Sequence, residues 1–240
     1  MIMKKHLVVL TGAGMSAESG FSTFRDAGGL WDRYPVERVA TPEGFEEDPN
    51  LVLGFYRNLR NQLYAAAPNA GHLGLIELEK DFDVDIITQN VDNFHERAGS
   101  RKVLHLHGEL TKICSSRSPN DSRMIRELPP DAPYAKVGDL APDGSQLRPF
   151  IVWFGEAVPE IEKAASIVRS ADIFVVIGSS LNVYPAAGLL GEVPKNAKIY
   201  LIDPKPVDTH TRLPITVFRE KASSGVRRLI ETLRTAGTSD

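Results

Sequence analysis

The stretch "HLVVLTGAGMSAESG", residues 6–20, sets the expected fold. Its first half is apolar and rich in valine and leucine, which predicts a buried strand. Its second half places Gly12, Gly14 and Ala17 in the G-x-G-x-x-[G/A] spacing. A glycine loop between a strand and a helix lets backbone N–H groups approach a pyrophosphate. The stretch therefore predicts the first strand–helix unit of a nucleotide-binding fold, although a plain glycine turn has the same spacing.

The rest of the chain repeats the alternation of strand and helix. Apolar runs that end in small or polar residues predict strands at residues 6–14, 84–90, 103–108, 150–156, 173–180 and 198–203, with 215–218 as a weaker seventh. The three–four spacing of amphipathic helices marks residues 51–63, 73–78 and 226–233. Near-continuous apolar strands indicate an α/β fold with a parallel sheet buried on both faces. Residues 21–47 and 115–148 are irregular and predict insertions.

Composition excludes several classes of function. The net charge of the 240 residues is -3, with no lysine or arginine run, so nothing favours nucleic-acid or membrane-surface binding. The single cysteine, Cys114, excludes an intramolecular disulfide and a zinc site of several thiolates. The sequence has no apolar run long enough for a signal peptide or a membrane span. A soluble protein of the reducing cytoplasm is the expectation.

A polar segment, "TQNVDNFHERAGSRKVLHLHG", holds three of the six histidines at residues 88–108. His105 and His107 alternate along a predicted strand and are expected to share a face. Two imidazoles on one face could ligate zinc, or one of them could act as a base. Asn90 and Asp92 follow a strand, where they could bind a ligand or simply cap a helix.

Together these motifs resemble the sirtuin family of NAD-dependent protein deacylases, and its bacterial branch in particular. The matching pieces, in family order, are "GAGMSAESGFSTFRDAGGLW", "TQNVDNFHERAGS", "LHG", "PFIVWFGE", "GSSLNVYPAAGL" and "KAS". The resemblance implies a Rossmann-like parallel sheet with a smaller inserted domain. Residues 1–25, 70–112 and 150–240 would form the NAD-binding part, and residues 26–69 and 113–149 the insertions. A monomer is the default expectation.

The resemblance also implies the roles of individual residues. It implies that His107 is the general base and that Asn90 also takes part in catalysis. The implied cofactor-binding residues are Gly12, Ala13, Gly14, Ser16, Ala17, Phe24, Arg25, Gln89, Asn90, Asp92, His107, Gly178, Ser179, Ser180, Leu201, Ile202, Asp203 and Ala222. The implied substrate-binding residues are Ala40, Tyr56, Val152, Phe154, Gly155, Glu156, Leu181 and Val183. His105 is expected to be a supporting residue, His95 to position its loop, and Trp153 to pack in the core.

The implied reaction consumes NAD and an acyl-lysine protein. The acyl oxygen attacks the ribose carbon that bears nicotinamide, nicotinamide leaves, and a base then deprotonates a ribose hydroxyl that attacks the imidate. A neutral imidazole suits that base at cytoplasmic pH. The products are nicotinamide and O-acyl-ADP-ribose. Two alternatives stay open, an ADP-ribosyltransferase or NAD hydrolase on the same fold and a non-catalytic NAD-binding module.

The sequence departs from the family in two places. Members that remove malonyl or succinyl groups carry an arginine three residues after a tyrosine, whereas here Tyr56 is followed by Leu59, and Arg60 comes one position later. One residue turns a helical side chain by about 100°, so neutral acyl groups are expected, acetyl first, with desuccinylase or demalonylase activity as the alternative.

The second departure concerns the zinc that this family usually holds in two C-x-x-C pairs. Cys114 alone cannot build that site, so no structural zinc is expected. Packing of Met124, Ile125, Leu128 and Tyr134, with proline turns, is expected to hold residues 115–148 instead.

Overall fold

Two sheets organise the computed structural model, which describes residues 4–21 and 34–237. The larger sheet is parallel and has the order β3 (Val103–His105), β2 (Asp83–Thr88), β1 (His6–Thr11), β7 (Ile173–Ile177), β8 (Lys198–Ile202) and β9 (Ile215–Phe218). The smaller sheet is antiparallel, with the order β5 (Arg126–Glu127), β4 (Gly108–Ser115) and β6 (Leu147–Ile151). The predicted α/β fold, with a parallel Rossmann-like sheet and a smaller inserted part, is confirmed.

Helices cover both faces of the larger sheet and one face of the smaller. They are α1 (Ala13–Ser16), α2 (Val36–Val39), α3 (Pro42–Glu47), α4 (Pro49–Ala65), α5 (Ala70–Leu78), α6 (Phe94–Ala98), α7 (Ile161–Val168) and α8 (Ala222–Gly237). The three predicted helices are confirmed as α4, α5 and α8. Helix α4 begins after Asp48, whose carboxylate accepts a hydrogen bond from Leu51 N–H at 2.9 Å, with proline at its first position. Within the described ranges, no helix is both long and apolar enough to cross a membrane.

The central strands β1, β7 and β8 are buried on both faces, as predicted, whereas the edge strands β3 and β9 are partly exposed. In β1, Leu7 and Val9 pack toward α5 and α8, whereas Val8 and Leu10 pack toward α7 and residues 186–192. Successive side chains of a strand point to opposite faces, so a sheet with two covered faces requires a continuous apolar run. This explains why the strands show no alternation of apolar and polar residues.

A third core joins α4 to the smaller sheet, and it corrects the prediction for residues 150–156. The strand there is β6, which ends at Ile151 and pairs with β4 in the smaller sheet. The chain leaves the sheet before Trp153, which is buried in this third core. An apolar run predicts a buried strand but does not say which sheet the strand joins, because hydrophobicity is not directional.

The packing expected to hold residues 115–148 is right for two of four residues. Leu128 and Tyr134 are buried, whereas Met124 and Ile125 are only half-buried. The residue that sequence reasoning missed here is Arg60, which is 3% exposed. Its guanidinium donates to the carbonyls of Ala132 at 3.1 Å and Leu128 at 3.2 Å, and also to the carbonyl of Pro129. An arginine of α4 therefore fixes the loop that follows β5.

Candidate functional site

The loops after the parallel strands meet at one edge of the larger sheet. Strands β1, β2, β3, β7 and β8 run in one direction, so their carboxyl ends lie side by side. The loops beyond them contain most of the predicted cofactor-binding residues, at 12–16, 89–92, His107, 178–180 and Asp203. Open parallel sheets bind ligands in the crevice at this edge. This edge is the candidate site.

The glycine loop packs against the backbone of the segment after β7. Gly12 N–H donates to Ile177 O at 3.0 Å, and Gly14 N–H donates to Gly178 O at 2.9 Å. Gly178 has a φ of +60°, and a Cβ built on it would lie 2.3 Å from Met15 N. Only glycine fits a position with both this backbone conformation and so close a neighbour.

The expectation that the loop presents free N–H groups to an anion is wrong for three residues. The N–H groups of Gly12, Gly14 and Met15 all donate to protein carbonyls. Helix α1 has only four residues, so few peptide dipoles add up at its start. The two loop glycines are therefore required by the close contact with Gly178.

Three predicted residues form a buried cluster beside the loop. Asn90 Nδ2 donates to Gly12 O at 3.0 Å and to Ser16 Oγ at 3.1 Å. Ser16 Oγ in turn donates to Asp92 Oδ2 at 2.8 Å. Asp92 Oδ1 also accepts from Phe94 N–H at 3.1 Å, so Asp92 holds the start of α6 as a capping residue would. Burial raises the pKa of Asp92, and these hydrogen bonds oppose that rise.

His107 lies in the bend between β3 and β4, and a backbone carbonyl orients its ring. His107 Nδ1 lies 3.0 Å from Gln89 O. A carbonyl oxygen only accepts hydrogen bonds, so Nδ1 carries the proton and Nε2 has the free electron pair. Burial lowers the pKa of His107 below 6.5, opposed by the bond to Gln89. The ring is therefore neutral at neutral pH and can accept a proton at Nε2.

His105 is positively charged, in contrast to the neutral His107. Its Nδ1 lies 3.1 Å from Asn90 O, and its Nε2 lies 2.8 Å from Glu96 Oε1. Both partners accept, so both ring nitrogens carry protons. Burial alone would lower the pKa of His105, but the hydrogen bond and the charge of Glu96 raise it above 6.5. Strand β3 ends at His105, so the expectation that His105 and His107 share a strand face is wrong.

Buried hydrogen bonds tie the ends of β1 and β2 to α6, and a ring contact continues from α6 to α5. Thr11 Oγ1 donates to Thr88 Oγ1 at 2.8 Å, so it accepts the bond from His95 Nε2 at 3.1 Å. His72 Nδ1 accepts from Asn69 N–H at 3.2 Å. Among the described residues, His72 Nε2 and His95 Nδ1 lack partners, and their rings are 4.9 Å apart between centroids. His72 Nε2 therefore carries a proton and can donate, whereas His95 Nδ1 has no proton and can accept. Burial lowers the pKa of both histidines.

Residues 152–156, the segment predicted to bind the peptide, are held in place by hydrogen bonds of their own backbone. Val152 N–H donates to His107 O at 3.0 Å, and Phe154 N–H donates to Ala40 O at 2.9 Å. The Phe154 side chain is 43% exposed. These bonds bring the segment directly beside the histidine bend.

Glu156 turns its carboxylate into the protein instead of toward a peptide. It accepts from Arg148 Nη1 at 2.7 Å, from Arg148 Nη2 at 2.8 Å and from Trp153 N–H at 2.8 Å. Arg148 is 3% exposed, and its Cζ lies 3.7 Å from the centre of the Trp153 ring. Trp153 Nε1 donates to Tyr56 Oη at 3.0 Å. A continuous set of contacts therefore links Glu156 to Tyr56, and Trp153 packs in the core as predicted.

The residues predicted to bind the acyl group lie near Trp153. Their described neighbours on α4 do not include a free cation. Tyr56 and Leu59 are buried, and burial raises the pKa of Tyr56. The Arg60 guanidinium binds the carbonyls of residues 128–132, as described above. The interpretation that Arg60 is turned away from the tyrosine fits this arrangement.

The remaining predicted residues divide into those at the crevice and those in the cores. Gln89 Nε2 donates to Ser179 Oγ at 2.8 Å, which joins the loops after β2 and β7. Leu181 is buried and Val183 half-buried, while Ser180, Ala17 and Gly155 are more accessible. The side chains of Leu201, Ile202 and Ala222 lie in the cores, which leaves only their backbone for a ligand. Phe24 and Arg25 lie outside the described residues.

Sequence reasoning missed Arg148 and the pair Asn69 and His72. An arginine within the apolar strand "LRPFI" is a signal for a buried, paired charge. Asn69 precedes α5 with His72 three residues on, a capping-box spacing. Asn69 Nδ2 also donates to Met15 O at 2.8 Å and to Ser19 Oγ at 3.0 Å, so this cap holds the glycine loop.

The parallel sheet carries a glycine loop at its carboxyl edge, with amide, carboxylate and imidazole groups beside it. This arrangement defines a Rossmann-like protein that binds a dinucleotide. The chain belongs to the Sir2 family, whose model matches residues 12–185. It is 67% identical over 229 residues to an NAD-dependent protein deacylase of Bacteroides thetaiotaomicron, covering 95% of this chain and 98% of that relative. It is 48% identical over 229 residues to one of Helicobacter pylori, covering 95% and 97%.

Solved structures agree with this membership. A mutant Sir2 homologue in complex with ADP-ribose matches with a TM-score of 0.86 at 38% identity, covering 99% of this chain and 95% of that chain. A Sir2 homologue in complex with NAD matches with a TM-score of 0.82 at 38% identity, covering 97% and 91%.

Proposed function

We propose that this protein removes acyl groups from lysine side chains of proteins and consumes NAD in doing so. The single observation that carries the proposal is the neutral His107, whose Nε2 electron pair is free because Nδ1 binds Gln89 O at 3.0 Å. A protein that only binds NAD has no need of a poised base at this edge. The names of the relatives, NAD-dependent protein deacylases, support the same conclusion.

NAD is a substrate here, and the crevice residues fit it by their chemistry. Asn90 and Asp92 are buried polar groups held rigidly at the loop, where they can position a ribose. His107 would accept the proton of a ribose hydroxyl at Nε2 and so make its oxygen a nucleophile. Gln89 would keep the ring in place throughout, because its carbonyl binds the nitrogen that does not react.

The peptide would lie along residues 152–156. A strand added at this segment is held by backbone hydrogen bonds and tolerates many side chains. Glu156 would hold the segment in place and would not bind the peptide with its carboxylate, because that carboxylate already accepts hydrogen bonds from Arg148 and Trp153.

Neutral acyl groups, acetyl first, are the proposed substrates. Burying a carboxylate of a succinyl or malonyl group without a cation is strongly unfavourable. Leu59 is apolar, Arg60 already binds three carbonyls and Arg148 is paired with Glu156, so the described residues buried around Tyr56 offer no free cation.

The three cores support a division of labour within the chain. Residues 1–25, 70–112 and 150–240 would hold NAD, while residues 26–69 and 113–149 would form the insertions that position the peptide. The cores on both faces of the larger sheet are separate from the core of α4 and the smaller sheet, which supports this division.

Mass spectrometry tests the function. Acetyl-, malonyl- and succinyl-lysine peptides are incubated with the protein, with and without NAD. We expect loss of the acetyl group only when NAD is present, with equal amounts of nicotinamide and O-acetyl-ADP-ribose. Nicotinamide release without any peptide would favour the NAD hydrolase instead, and no release under any condition would contradict the proposal.

A further inference from the structure

The smaller sheet lacks the ligands for the zinc that the sirtuin resemblance implies. Cys114 is buried with Sγ 3.6 Å from Pro149 O, and burial raises the pKa of its thiol to about 12. The charged groups next to its thiol are Arg148 and Glu156, and the neighbouring residue, Ser115, contacts the carboxylate of Asp143 and the hydroxyl of Ser145. Structural zinc takes four sulfur or nitrogen ligands in proteins, so these groups do not fit it. Among the described residues, no group of three or more histidine, cysteine or acidic side chains could hold a metal.

In their place, Ser115, Asp143 and Ser145 form a cluster that we call the hydroxyl–carboxylate clasp. Ser115 Oγ donates to Asp143 Oδ2 at 2.6 Å and lies 2.8 Å from Ser145 Oγ. Asp143 Oδ1 accepts from Ser145 N–H at 3.0 Å and from Ser145 Oγ at 2.7 Å. Hydrogen bonds to an ionised carboxylate are the strong ones in proteins.

The clasp joins two turns that are far apart in sequence. Ser115 Oγ also accepts from Arg117 N–H at 3.1 Å and from Ser118 N–H at 2.9 Å, so it closes the turn after β4. Asp143 closes the turn before β6. Ser115 and Ser118 have the spacing of a C-x-x-C pair, so hydrogen bonds organise a turn of the same length as one that holds zinc.

The clasp lies at one end of the strand pair whose other end carries the site. Ser115 pairs with Leu147 at the clasp end, and Gly108 pairs with Ile151 at the far end. The residues just beyond that far end, His107 and Val152, belong to the site, and Val152 N–H donates to His107 O at 3.0 Å. Strand β4 has eight residues and β6 has five, which at about 3.3 Å per residue gives lengths of roughly 26 and 16 Å. The extra residues of β4 form an irregularity between Gly108 and Ile113. Holding Leu147 beside Ser115 therefore holds the start of β6, and the peptide segment begins directly after the end of β6 at Ile151.

We propose that the hydroxyl–carboxylate clasp replaces the structural ion of the smaller sheet, and that Asp143 is a positioning residue for the peptide segment 152–156. The part concerning the peptide rests on the proposed deacylase function, whereas the replacement of the ion does not. The bonds from Ser115, then from Ser145, lower the pKa of Asp143 to about 2. The carboxylate therefore stays ionised, and its contribution is present above pH 4 and lost as the pH falls toward 2.

The test compares Asp143→Asn with Asp121→Asn in the full-length protein. Asp121 is a matched control because it lies in the same insertion and caps a turn, accepting from Arg123 N–H at 3.0 Å, and among the described residues its carboxylate makes hydrogen bonds with Arg123 alone. Zinc content, melting temperature with and without a chelator, and KM for acetyl-lysine peptide and for NAD are measured. Ser145→Ala is the milder second variant, since it keeps the bond from Ser115 to Asp143.

We expect no stoichiometric zinc, and a melting temperature that the chelator does not change. Asp143→Asn should lower the melting temperature by several degrees and raise KM for peptide roughly tenfold, with a smaller change in KM for NAD. Ser145→Ala should change both in the same direction, and Asp121→Asn should change neither. One zinc per chain with a chelator-sensitive melting temperature would overturn the proposal, as would a wild-type melting temperature in both clasp variants. Zinc content and melting need no activity, so an inactive protein with the expected melting behaviour contradicts the deacylase function and leaves the clasp standing.

Discussion

The carboxyl edge of the larger sheet and the smaller sheet are held together by different kinds of contact. At the edge, backbone meets backbone, since Gly12 and Gly14 both donate to carbonyls of the segment that contains Gly178. In the smaller sheet, individual side chains do this work, with Arg60 on the carbonyls of residues 128–132 and the clasp at Asp143. The three glycines of the edge, Gly12, Gly14 and Gly178, therefore tolerate no added Cβ, whereas the insertion depends on a few replaceable polar contacts.

The largest expected effect concerns the reacting group of the edge. His107→Ala should lower kcat by roughly 10²–10⁴-fold, because it removes a general base. NAD binding should remain, since Asn90, Asp92 and the glycine loop are unchanged. Steady-state kinetics and calorimetric titration with NAD measure the two effects. His210→Ala, at an exposed histidine in the loop before β9, is the control and should behave as wild type. Full activity of the His107 variant would show that another group is the base.

The same substitution in the two regions tests the comparison directly. Gly178→Ala should destabilise the protein by about 3–5 kcal/mol, because a Cβ 2.3 Å from Met15 N forces the loop apart. Gly144→Ala in the insertion also has a positive φ, +76°, but nothing lies within 4 Å of its Cβ. Only backbone strain remains there, about 1–2 kcal/mol. Urea unfolding measures both, and equal losses would show that the close contact is unimportant.

Arg60 tests how far the insertion relies on one side chain. Arg60→Met should cost about 2–4 kcal/mol, since it leaves three buried carbonyls without their charged donor. Arg57→Met, on an exposed position of the same helix, should stay within about 0.5 kcal/mol of wild type. Chemical denaturation compares the two. A wild-type midpoint for Arg60→Met would mean that water replaces the guanidinium at no cost.

The smallest effect is the titration of the two neighbouring histidines. His107 should titrate below 6.5 because burial favours its neutral form, and His105 above 6.5 because Glu96 favours its charged form. The acid limb of the pH profile of kcat/KM should therefore lie at lower pH than the limb of an ordinary imidazole. NMR titration of the imidazole protons follows both rings. Glu96→Gln should lower the pKa of His105 and leave that of His107 unchanged, and a shift of both would show that the rings are coupled.

Much of the larger sheet could be predicted from the sequence, because each of its strands is a local apolar run and each of its loops carries a local motif. The crevice residues Ser16, Gln89, Asn90, Asp92 and His107 were all expected at one edge, and they lie there. Two expectations failed because hydrophobicity and spacing do not describe where a chain bends. Residues 150–156 leave their strand at Ile151, and His107 lies beyond the end of β3.

The sequence by itself determined the strand–helix order, the buried strands and the polar groups available for chemistry, since all of these follow from residues close together in the chain. Only the tertiary structure decided what the guanidinium of Arg60 and the indole of Trp153 bind. Those outcomes depend on partners far apart in sequence: Arg60 and Leu128 are separated by 68 positions, and Tyr56 and Trp153 by 97. Protonation and hydrogen bonding are set by the atoms within a few ångströms, and folding alone selects which atoms those are.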